Sequence, residues 1–501
     1  MVAAWMCACT ETPRAHVGES CSDHLDCMAA AQCFLDVCTP RCATHEDCGG
    51  GYLCSDDGTC DRVTSSIGDP CGRELDCGPQ QTCRLDDVDY DRDGELAATC
   101  QLERNGNVTG SECAADGDCR SQTCSIGRCT EVCSDNADCG DGLACVVQPR
   151  PLTSTLATTA PTFRGCLQAS GTLHHSLVGG PAARDTPLRV VVPGNALSVS
   201  MVTRVDDPRL LVGARRVVDP DGEVLYDAPV GGGPGFYANE IRYEAARQIS
   251  TLMIPNAPHI PLVTGVYQIQ IATTHSDGTP AGEVPELTVV YKLGGEAATS
   301  ALDLDFYFLD LADHACAAAT TDATINATTA ASSPEFAEYL AALQDILGAA
   351  GISIGAIGYH DIAGAPELDA IAPGELGTLL SMSHTDGGVN VFFVRSIEPI
   401  GVQALAGGTP GAPRMAGTPS SGIAVSADTL CYRDWPALAR TTSHAIGKQL
   451  GLYRNVDPDG REDEIADSPS DATNLMYFSE FGGAELSQGQ ADVLRRGPVT
   501  R

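Results

Sequence analysis

The sequence predicts a multidomain protein: small disulfide-rich repeats, then an antiparallel β-sandwich, then an α/β (α+β) domain. Three observations predict this order. Twenty of the 24 cysteines lie between Cys21 and Cys166. From about Leu188, short segments rich in β-branched residues alternate with turn signals. From about Leu302, strand-like segments alternate with amphipathic helical ones.

The charge balance excludes several classes of function. The 501-residue chain carries 66 acidic and 30 basic residues, a formal net charge of −36. Nucleic-acid binding and docking on an anionic membrane surface both need clustered cations, so neither is expected. No apolar run reaches the ~18 residues of a spanning helix, so no transmembrane span is predicted. Only two lysines are present, Lys292 and Lys448.

The cysteines form an internal repeat. Sets of eight, four and eight each open with C-x5-C, and the first and third also share C-x4-C-x3-C-x5-C-x5-C. Even counts favour disulfides over zinc thiolates, whose usual C-x2-C spacing is missing; the pairing stays open. We predict repeats at about 18–62, 68–101 and 110–148, stabilised by disulfides in an oxidising, extracellular or periplasmic compartment.

Two segments of this region carry a resemblance. G-E-S-C-S-D-H-L-D-C and G-S-E-C-A-A-D-G-D-C resemble the cysteine-rich repeats of the Dickkopf N-terminal and EB-type modules, which occur in bacterial multidomain surface proteins. The resemblance covers about residues 18–166. It implies binding to an unidentified protein or glycan outside the cell.

Residues 1–17 are interpreted as the remnant of a leader. They begin M-V-A-A-W-M-C-A-C, without a basic n-region. Ala8-Cys9 fits the end of a lipoprotein cleavage site, which would make Cys9 a lipid anchor at the cell surface, as in an outer-membrane lipoprotein. The alternative is a truncated or misassigned start, in which these cysteines have no such role.

An acidic run in the second repeat is a candidate calcium site. Asp89, Asp91, Asp93 and Gly94 fit positions 1, 3, 5 and 6 of an EF-hand-type loop, but Cys100 replaces the bidentate Glu of position 12. A partial calcium loop and a solvated acidic loop are the two interpretations.

The middle of the chain predicts a β-sandwich over residues 187–296, after a Thr/Pro-rich linker over 149–186 that includes Cys166. Turn signals such as Asp219-Pro220-Asp221-Gly222 separate the strands. The segments P-D-G-E-V-L-Y and T-G-V-Y-Q-I-Q-I resemble β-sandwich domains of secreted bacterial peptidases. The predicted strands are Leu188–Val192, Leu197–Thr203, Glu223–Tyr226, Ile249–Ile254, Val266–Ile271 and Leu287–Leu293.

Residues 302–501 predict an α/β domain. Ser333 is the predicted N-cap of a helix whose apolar residues, from Phe336 to Leu347, fall on one face. A second helix is predicted to begin at Asp434. Ser487 and Gln490 form a capping box for a last helix. The predicted strands are Leu302–Leu309, Ile352–His360, Val389–Val394 and Ile423–Ser426.

The second helix carries T-S-H-A-I-G-K-Q-L-G-L-Y-R, from Thr442 to Arg454. This stretch resembles the H-E-x-x-H-x-x-G-x-x-H zinc motif of metzincin metalloproteases. The resemblance covers about residues 302–500. It implies that His444 matches the first ligand, Gly451 the motif turn and Met476 the Met-turn.

The chemical positions of the motif are replaced. Ala445 stands at the position of the general-base Glu, Lys448 at the second ligand and Arg454 at the third. Alanine cannot transfer a proton, and two cations oppose metal entry. No catalytic residue and no zinc are therefore expected. We expect Lys448 and Arg454 to replace the metal by pairing with acids such as Asp457, Asp459 or Glu462. The alternative for this stretch is an ordinary amphipathic helix with a Gly C-cap.

Cys316 and Cys431, the only cysteines beyond Cys166, are predicted to form a disulfide. The sequence leaves three functions open. The first is an extracellular or surface-tethered binding protein with an inactive, metzincin-like pseudopeptidase domain. The second is an active zinc metallopeptidase with unconventional ligands. The third is adhesion through the cysteine repeats.

Overall fold

The structure is a computed structural model. It describes residues 20–22, 27–28, 31–34, 37–43, 52–54, 58–62, 65–78, 80–86, 94–151, 160–177, 187–228, 239–243, 245–309, 325–479 and 481–501. Contacts divide the chain into two units, residues 1–145 with 162–167, and residues 146–161 with 168–501. The predicted leader with Cys9 and the predicted calcium ligands Asp89, Asp91 and Asp93 lie outside the described residues.

The first unit consists of short hairpins joined by disulfides. Its strands are β1 (Ala31–Phe34), β2 (Val37–Pro40), β3 (Tyr52–Cys54), β4 (Cys60–Arg62), β5 (Gln81–Leu85), β6 (Ala98–Leu102), β7 (Cys124–Ser125) and β8 (Arg128–Cys129). Two more strands, β9 (Leu143–Pro149) and β10 (Thr162–Gln168), include residues of both units. β1–β2, β3–β4, β5–β6 and β7–β8 pair antiparallel.

The disulfides resolve the repeat into modules of four cysteines. In the modules whose four cysteines are all described, the first cysteine bonds the third and the second bonds the fourth. In three of these modules the third and fourth cysteines lie opposite each other across a hairpin, as Cys83 and Cys100 do. The nine described bonds are Cys21–Cys33, Cys27–Cys38, Cys42–Cys54, Cys71–Cys83, Cys77–Cys100, Cys113–Cys124, Cys119–Cys129, Cys133–Cys145 and Cys139–Cys166. The predicted cysteine-rich, disulfide-bonded stretch is thereby confirmed, and such bonds are typical of proteins exported from the cytosol.

An aspartate before the second cysteine caps the turn of each fully described module. In one module, Asp118 accepts hydrogen bonds from the backbone N–H groups of Ala114 and Ala115, at 2.8 and 2.9 Å. These bonds hold the pKa of Asp118 below its usual range. Asp76 and Asp138 repeat the arrangement. Part of the acidic excess of this region therefore has a structural role.

The second unit is mostly β-structure with few helices. Its first part has two antiparallel sheets, in the orders β11-β19-β13-β17 and β12-β18-β14-β15, with β16 also paired to β14. Hydrogen bonds join the sheets, including one of 2.8 Å from Tyr291 Oη to the carbonyl of Val191. The strands are β11 (Gly171–Leu177), β12 (Leu188–Val192), β13 (Ala196–Arg204), β14 (Leu211–Val218), β15 (Val224–Asp227), β16 (Ala246–Arg247), β17 (Ile249–Ile254), β18 (Gly265–Thr274) and β19 (Glu286–Leu293).

Its second part has a five-stranded sheet in the order β21-β20-β23-β26-β25, in which only β25 is antiparallel to its neighbour. The strands are β20 (Ser300–Phe308), β21 (Ile352–Asp361), β23 (Val389–Val394), β25 (Ala404–Ala406) and β26 (Ile423–Ser426); β22 (Ala370–Ile371) and β24 (Ser396–Ile397) pair separately. The helices are α1 (Pro334–Ala349), α2 (Leu376–Leu380), α3 (Trp435–Gln449) and α4 (Gln488–Arg496). No helix among the described residues is long and apolar enough to cross a membrane.

Successive side chains of β20 belong to two different hydrophobic clusters. Leu302, Leu304, Phe306 and Phe308 are buried in one cluster with residues of α1 and α3, whereas Tyr307 belongs to a second cluster. Both faces of the sheet are thus covered, which explains why all six residues of β23 are buried. The Ser333 N-cap and the Ser487–Gln490 capping box are observed as predicted.

Lys292 joins the last strand of the antiparallel sheets to the end of α4. Its ammonium is buried and donates to the carbonyl of Arg495 and, at 2.6 Å, to Thr500 Oγ1. Ser198 Oγ donates to the carbonyl of Arg496 in the same place. The carbonyls that α4 leaves without helical partners are therefore capped by side chains from the sheets.

The structure contains several elements that the sequence did not predict, including β22, β24, β25 and α2 of the C-terminal part. The predicted linker, 149–186, contains β10 and β11, and its Cys166 is bonded to Cys139. The sequence also missed β14, in which the pairing with β18 shifts between Ala214 and Arg216. Such a bulge interrupts the alternation of apolar and polar residues on which strand prediction depends.

Candidate functional site

Four residues of the T-S-H-A-I-G-K-Q-L-G-L-Y-R stretch line a cavity of about 470 Å³. His444, Ala445, Lys448 and Arg454 all contribute to its wall. Three of them lie on α3, where positions four apart share one face of the helix. The structure therefore brings together the positions that the sequence singled out.

The end of α3 brings Arg454 back to the same cavity. The backbone N–H of Gly451 donates to the carbonyl of Lys448 at 3.0 Å, and that of Leu452 donates to the carbonyl of Gly447 at 2.9 Å. Gly451 has φ +110°, in the region that favours glycine. This pair of bonds is the Schellman arrangement, which ends a helix sharply and reverses the chain.

His444 is fixed as a neutral imidazole. Its Nδ1 lies 2.8 Å from the carbonyl oxygen of Leu475, which can only accept, so Nδ1 carries the proton and Nε2 is the acceptor. Burial, with the charges of Lys448, Arg440 and Arg454, lowers the pKa of His444 to about 3. The ring is therefore uncharged at neutral pH.

Arg454 pairs with one of the acids that the sequence proposed for it. Its Nη1 lies 3.6 Å from Asp457 Oδ1. Asp457 also accepts hydrogen bonds from Arg242 at 2.8 Å and Arg461 at 2.6 Å. Arg242 is buried and lies over the ring of Tyr453, with 4.4 Å between the guanidinium carbon and the ring centroid. One carboxylate thus serves three guanidinium groups.

Met476 packs directly against α3. It is fully buried, and a Cβ placed on Gly447 would lie 2.7 Å from its Sδ. Gly447 follows His444 by about one helical turn, so Met476 packs against the part of α3 that carries the motif. The small residue at 447 is required for this contact.

Arg440 is a cavity residue that the sequence did not single out. Its guanidinium donates to the carbonyls of Leu475, at 2.9 Å, and Gly483, at 2.9 Å. It thereby holds the segment around Met476 against α3. Burial and the nearby Arg433 lower the pKa of Arg440 to about 10. Its position four residues before His444 was the signal that could have identified it.

The opposite walls come from distant parts of the chain. β25 contributes Ala404, Leu405 and Ala406, and the start of β17 contributes Ile249 to Thr251. β25 is the last strand of its sheet and, within the described part of the chain, only β26 pairs with it. Among the described residues, one backbone edge of β25 has no strand paired to it.

The described residues of the cavity do not supply the donors of a zinc site. Three donors are needed for an open catalytic site. His444 offers one nitrogen, whereas Lys448 and Arg454 are cations and Ala445 has no proton to transfer. Among the described residues, several groups of three or more His, Cys, Asp or Glu side chains lie close enough to share a metal ion. All of these groups consist of cysteines, and those cysteines are in disulfides.

The remaining predicted residues lie elsewhere. Cys431 is disulfide-bonded, while its expected partner Cys316 lies outside the described residues. Glu462 is exposed and lies beside Val456 in a short bridge, next to the Asp457 cluster. Burial raises the pKa of the neighbouring Asp463 to about 7.

Comparisons with known proteins give little. No family model matches the chain. No curated protein matches it either. Among solved structures, the YxiM protein of Bacillus subtilis is similar over 44% of this chain and 49% of its own, with 12% sequence identity and a TM-score of 0.13. The chain thus spans about half the length of that structure, and a likeness at this level supports no argument about fold or function.

Proposed function

We propose that this protein is an extracellular or surface-tethered binding protein, and that residues 302–501 form a catalytically inactive, metzincin-like peptidase domain. The observation that carries the proposal is the cavity. Positions that resemble a zinc motif line one pocket, but two of the three ligand positions carry cations and the base position carries alanine. In this proposal the pocket is a peptidase-like site that has lost the residues for its chemistry.

The order of elements supports the resemblance on which the proposal depends. A strand, a helix, further strands, the motif helix, a glycine turn, an acidic stretch and a buried methionine follow one another, as the sequence suggested. We extend the proposal to the two antiparallel sheets of residues 171–293, as a β-sandwich domain. The hydrogen bonds between the sheets and their buried facing strands favour it.

A peptide is the ligand class that the site favours. The cavity is bordered by an open strand edge, and an extended peptide can add to such an edge through main-chain hydrogen bonds. Alanines of β25 leave room for the side chains of a bound peptide. The domain would then bind a peptide segment and release it uncut.

The test uses the full chain, because Lys292 and Ser198 of the antiparallel sheets cap α4 of the C-terminal part. We expect no stoichiometric zinc by elemental analysis and no cleavage of casein or gelatin, with or without added zinc. Stoichiometric zinc together with cleavage, lost in His444→Ala, would instead support the metallopeptidase with unconventional ligands.

A gain-of-ligand variant supplies the positive control. Lys448→His with Arg454→His and Ala445→Glu restores the donor set that the resemblance implies. Because α3 and Gly451 bring these positions to one cavity, we expect this triple variant to bind zinc in a one-to-one ratio. Failure of a well-folded triple variant to bind zinc would count against the proposed descent of the site.

A further inference from the structure

We propose that His360 and His384 form a binding site for a divalent transition-metal ion, with Asp305 as the carboxylate that orients His360. This inference goes beyond the proposed function and does not depend on it. The cluster lies on the face of the five-stranded sheet that carries Tyr307, whereas α3 packs on the other face. It is therefore distinct from the cavity beside α3.

The register of two strands brings this cluster together. β20 and β21 run parallel, and Tyr307 of β20 lies beside His360 of β21. Side chains two residues apart on a strand share a face, so Asp305 lies on the same side of the sheet as Tyr307. The His360 ring stacks on the Tyr307 ring, with 4.7 Å between the centroids and 26° between the planes. Neighbouring strands thus hold the imidazole in place without a bound ligand.

Asp305 fixes the tautomer of His360. Its Oδ1 lies 2.7 Å from His360 Nε2. Because a carboxylate oxygen accepts, Nε2 carries the proton and Nδ1 keeps a lone pair. Gly358 leaves room for this contact, since a Cβ at that position would lie 2.8 Å from Nε2 and closer still to Oδ1. A histidine that ligates a metal usually donates its other ring N–H to a carboxylate or carbonyl, and His360 has that arrangement.

The second imidazole, that of His384, lies beside the first. It is carried by the loop between α2 and β23. The ring centroids of His384 and His360 are 4.6 Å apart, and the ring planes meet at 83°. Bonds of about 2.1 Å from two ring nitrogens to one ion place the centroids about 4.5–5.3 Å apart, so the observed separation suits a shared ion. His384 is exposed, which gives an ion access from solvent.

Tyr307 fixes the loop that carries His384. The backbone N–H of His384 donates to Tyr307 Oη at 3.2 Å, and Thr385 Oγ1 lies 2.9 Å from the same oxygen. Thr385 Oγ1 also donates to Asn390 Oδ1, on β23, at 2.7 Å. The buried Tyr307 thus contacts His360 through its ring and the His384 loop through its hydroxyl. Two segments distant in sequence are thereby held together.

The ligand atoms favour one class of ion. Among the described residues, the bond to Asp305 is the hydrogen bond that these two rings make. His360 Nδ1 and the His384 ring are therefore the protein ligands, with water at the remaining positions. Imidazole suits Cu²⁺, Ni²⁺ and Zn²⁺, whereas Mg²⁺ and Ca²⁺ prefer oxygen ligands. Cu²⁺ should bind more tightly than Ni²⁺ or Zn²⁺.

Isothermal titration calorimetry of the full-length protein tests the site with metal ions alone. The protein keeps its disulfides and is first dialysed against EDTA, which removes ions carried through purification. We expect Ni²⁺ and Cu²⁺ to bind, Cu²⁺ more tightly, and Mg²⁺ to give no binding heat at the same concentrations. Binding should weaken as the pH falls, because protons and metal ions compete for the same nitrogens.

Variants locate the binding. Asp305→Asn should weaken Ni²⁺ binding about tenfold through loss of the carboxylate partner. His360→Gln and His384→Gln each remove a ligand and should weaken it by about tenfold or more. The matched control is the double variant His259→Gln with His275→Gln, which removes two exposed imidazoles outside the cluster and should leave Ni²⁺ binding unchanged.

A second measurement uses the wild-type protein and decides the question if a variant does not fold. Diethyl pyrocarbonate acylates accessible, unprotonated imidazoles, and peptide mass spectrometry gives the extent of reaction at each histidine. Ni²⁺ should protect His360 and His384 together, over the concentration range in which calorimetry detects binding. His259 and His275 should react equally with and without Ni²⁺.

No binding of Ni²⁺ or Cu²⁺ by the wild-type protein overturns the inference. So does an unchanged Ni²⁺ affinity in folded His360→Gln and His384→Gln variants, or acylation of both histidines that Ni²⁺ does not change. These outcomes do not bear on the proposed function. Zinc and cleavage that are lost in His444→Ala concern the cavity beside α3, whereas metal binding that is lost in the His360 and His384 variants concerns this site, so the two failures are distinguishable.

Discussion

Acidification should destabilise the wild-type protein more than a variant without the His444 imidazole. Burial and neighbouring cations lower the pKa of His444 from 6.5 to about 3. Between these two values the unfolded chain binds a proton that the folded chain does not, so the free energy of unfolding falls as the pH falls. This contribution is complete above the unfolded pKa and is lost progressively toward pH 3.

The magnitude follows from the shift. Between about pH 7 and pH 4, titration of this one group lowers the free energy of unfolding by about 3 kcal/mol. This value is an upper estimate because His444 is partly accessible to water.

His444→Asn removes the titration and keeps a donor for the carbonyl of Leu475. His444→Leu removes both. Urea unfolding with intact disulfides, across this pH range, should therefore show a flatter pH dependence in both variants. At neutral pH the Leu variant should be less stable than the Asn variant by about 1 kcal/mol. Parallel pH curves for wild type and His444→Asn would refute the reasoning.

Three further changes test the packing, each by urea unfolding with intact disulfides. Lys292→Met should lower the free energy of unfolding by about 2 kcal/mol, because it removes a charged donor from the carbonyl of Arg495 and from Thr500 Oγ1. Arg496→Met, at a half-exposed pair, should cost less than about 1 kcal/mol. Gly447→Ala should lower the free energy of unfolding by about 1–3 kcal/mol, because the added methyl group overpacks against Met476. In the double variant with Met476→Ala, the loss of stability should be smaller than the sum of the losses in the two single variants. Asp138→Ala should cost about 1 kcal/mol through the lost cap and increase proteolysis of the cysteine-rich region; an unchanged digestion pattern would contradict this role.

Local patterns in the sequence predicted the elements that carry local signals. The Ser333 and Ser487 caps, β12, β17 and α3 follow from residues within one turn or one strand, and all are found. The cysteine spacing predicted disulfides, but the pairing depends on hairpins that bring Cys83 opposite Cys100, and this is a three-dimensional property.

The walls of the cavity could not be predicted for the same reason. The motif helix was visible because its spacing is local. β25 and Ile249 reach the cavity from positions about 40 and 195 residues before His444, and no pattern in the chain records such a distance. The sequence also gave Lys292 no role beyond its rarity. Its function as a cap for α4 depends on the docking of β19 against the C-terminal part of the unit.

Residues of the antiparallel sheets also line the cavity beside the motif helix. Arg242 of the segment before β16 binds Asp457, which also pairs with Arg454 of the cavity. The side chain of Met253, on β17, lies 3.1 Å from the position that a Cβ on Gly451 would occupy, so β17 reaches the turn that brings Arg454 back toward α3. Asp457 thus pairs with Arg242, Arg461 and Arg454 at once, and loss of its carboxylate would be costly for the buried Arg242 guanidinium. The position of Arg454 at the cavity is in this way linked to contacts from the antiparallel sheets.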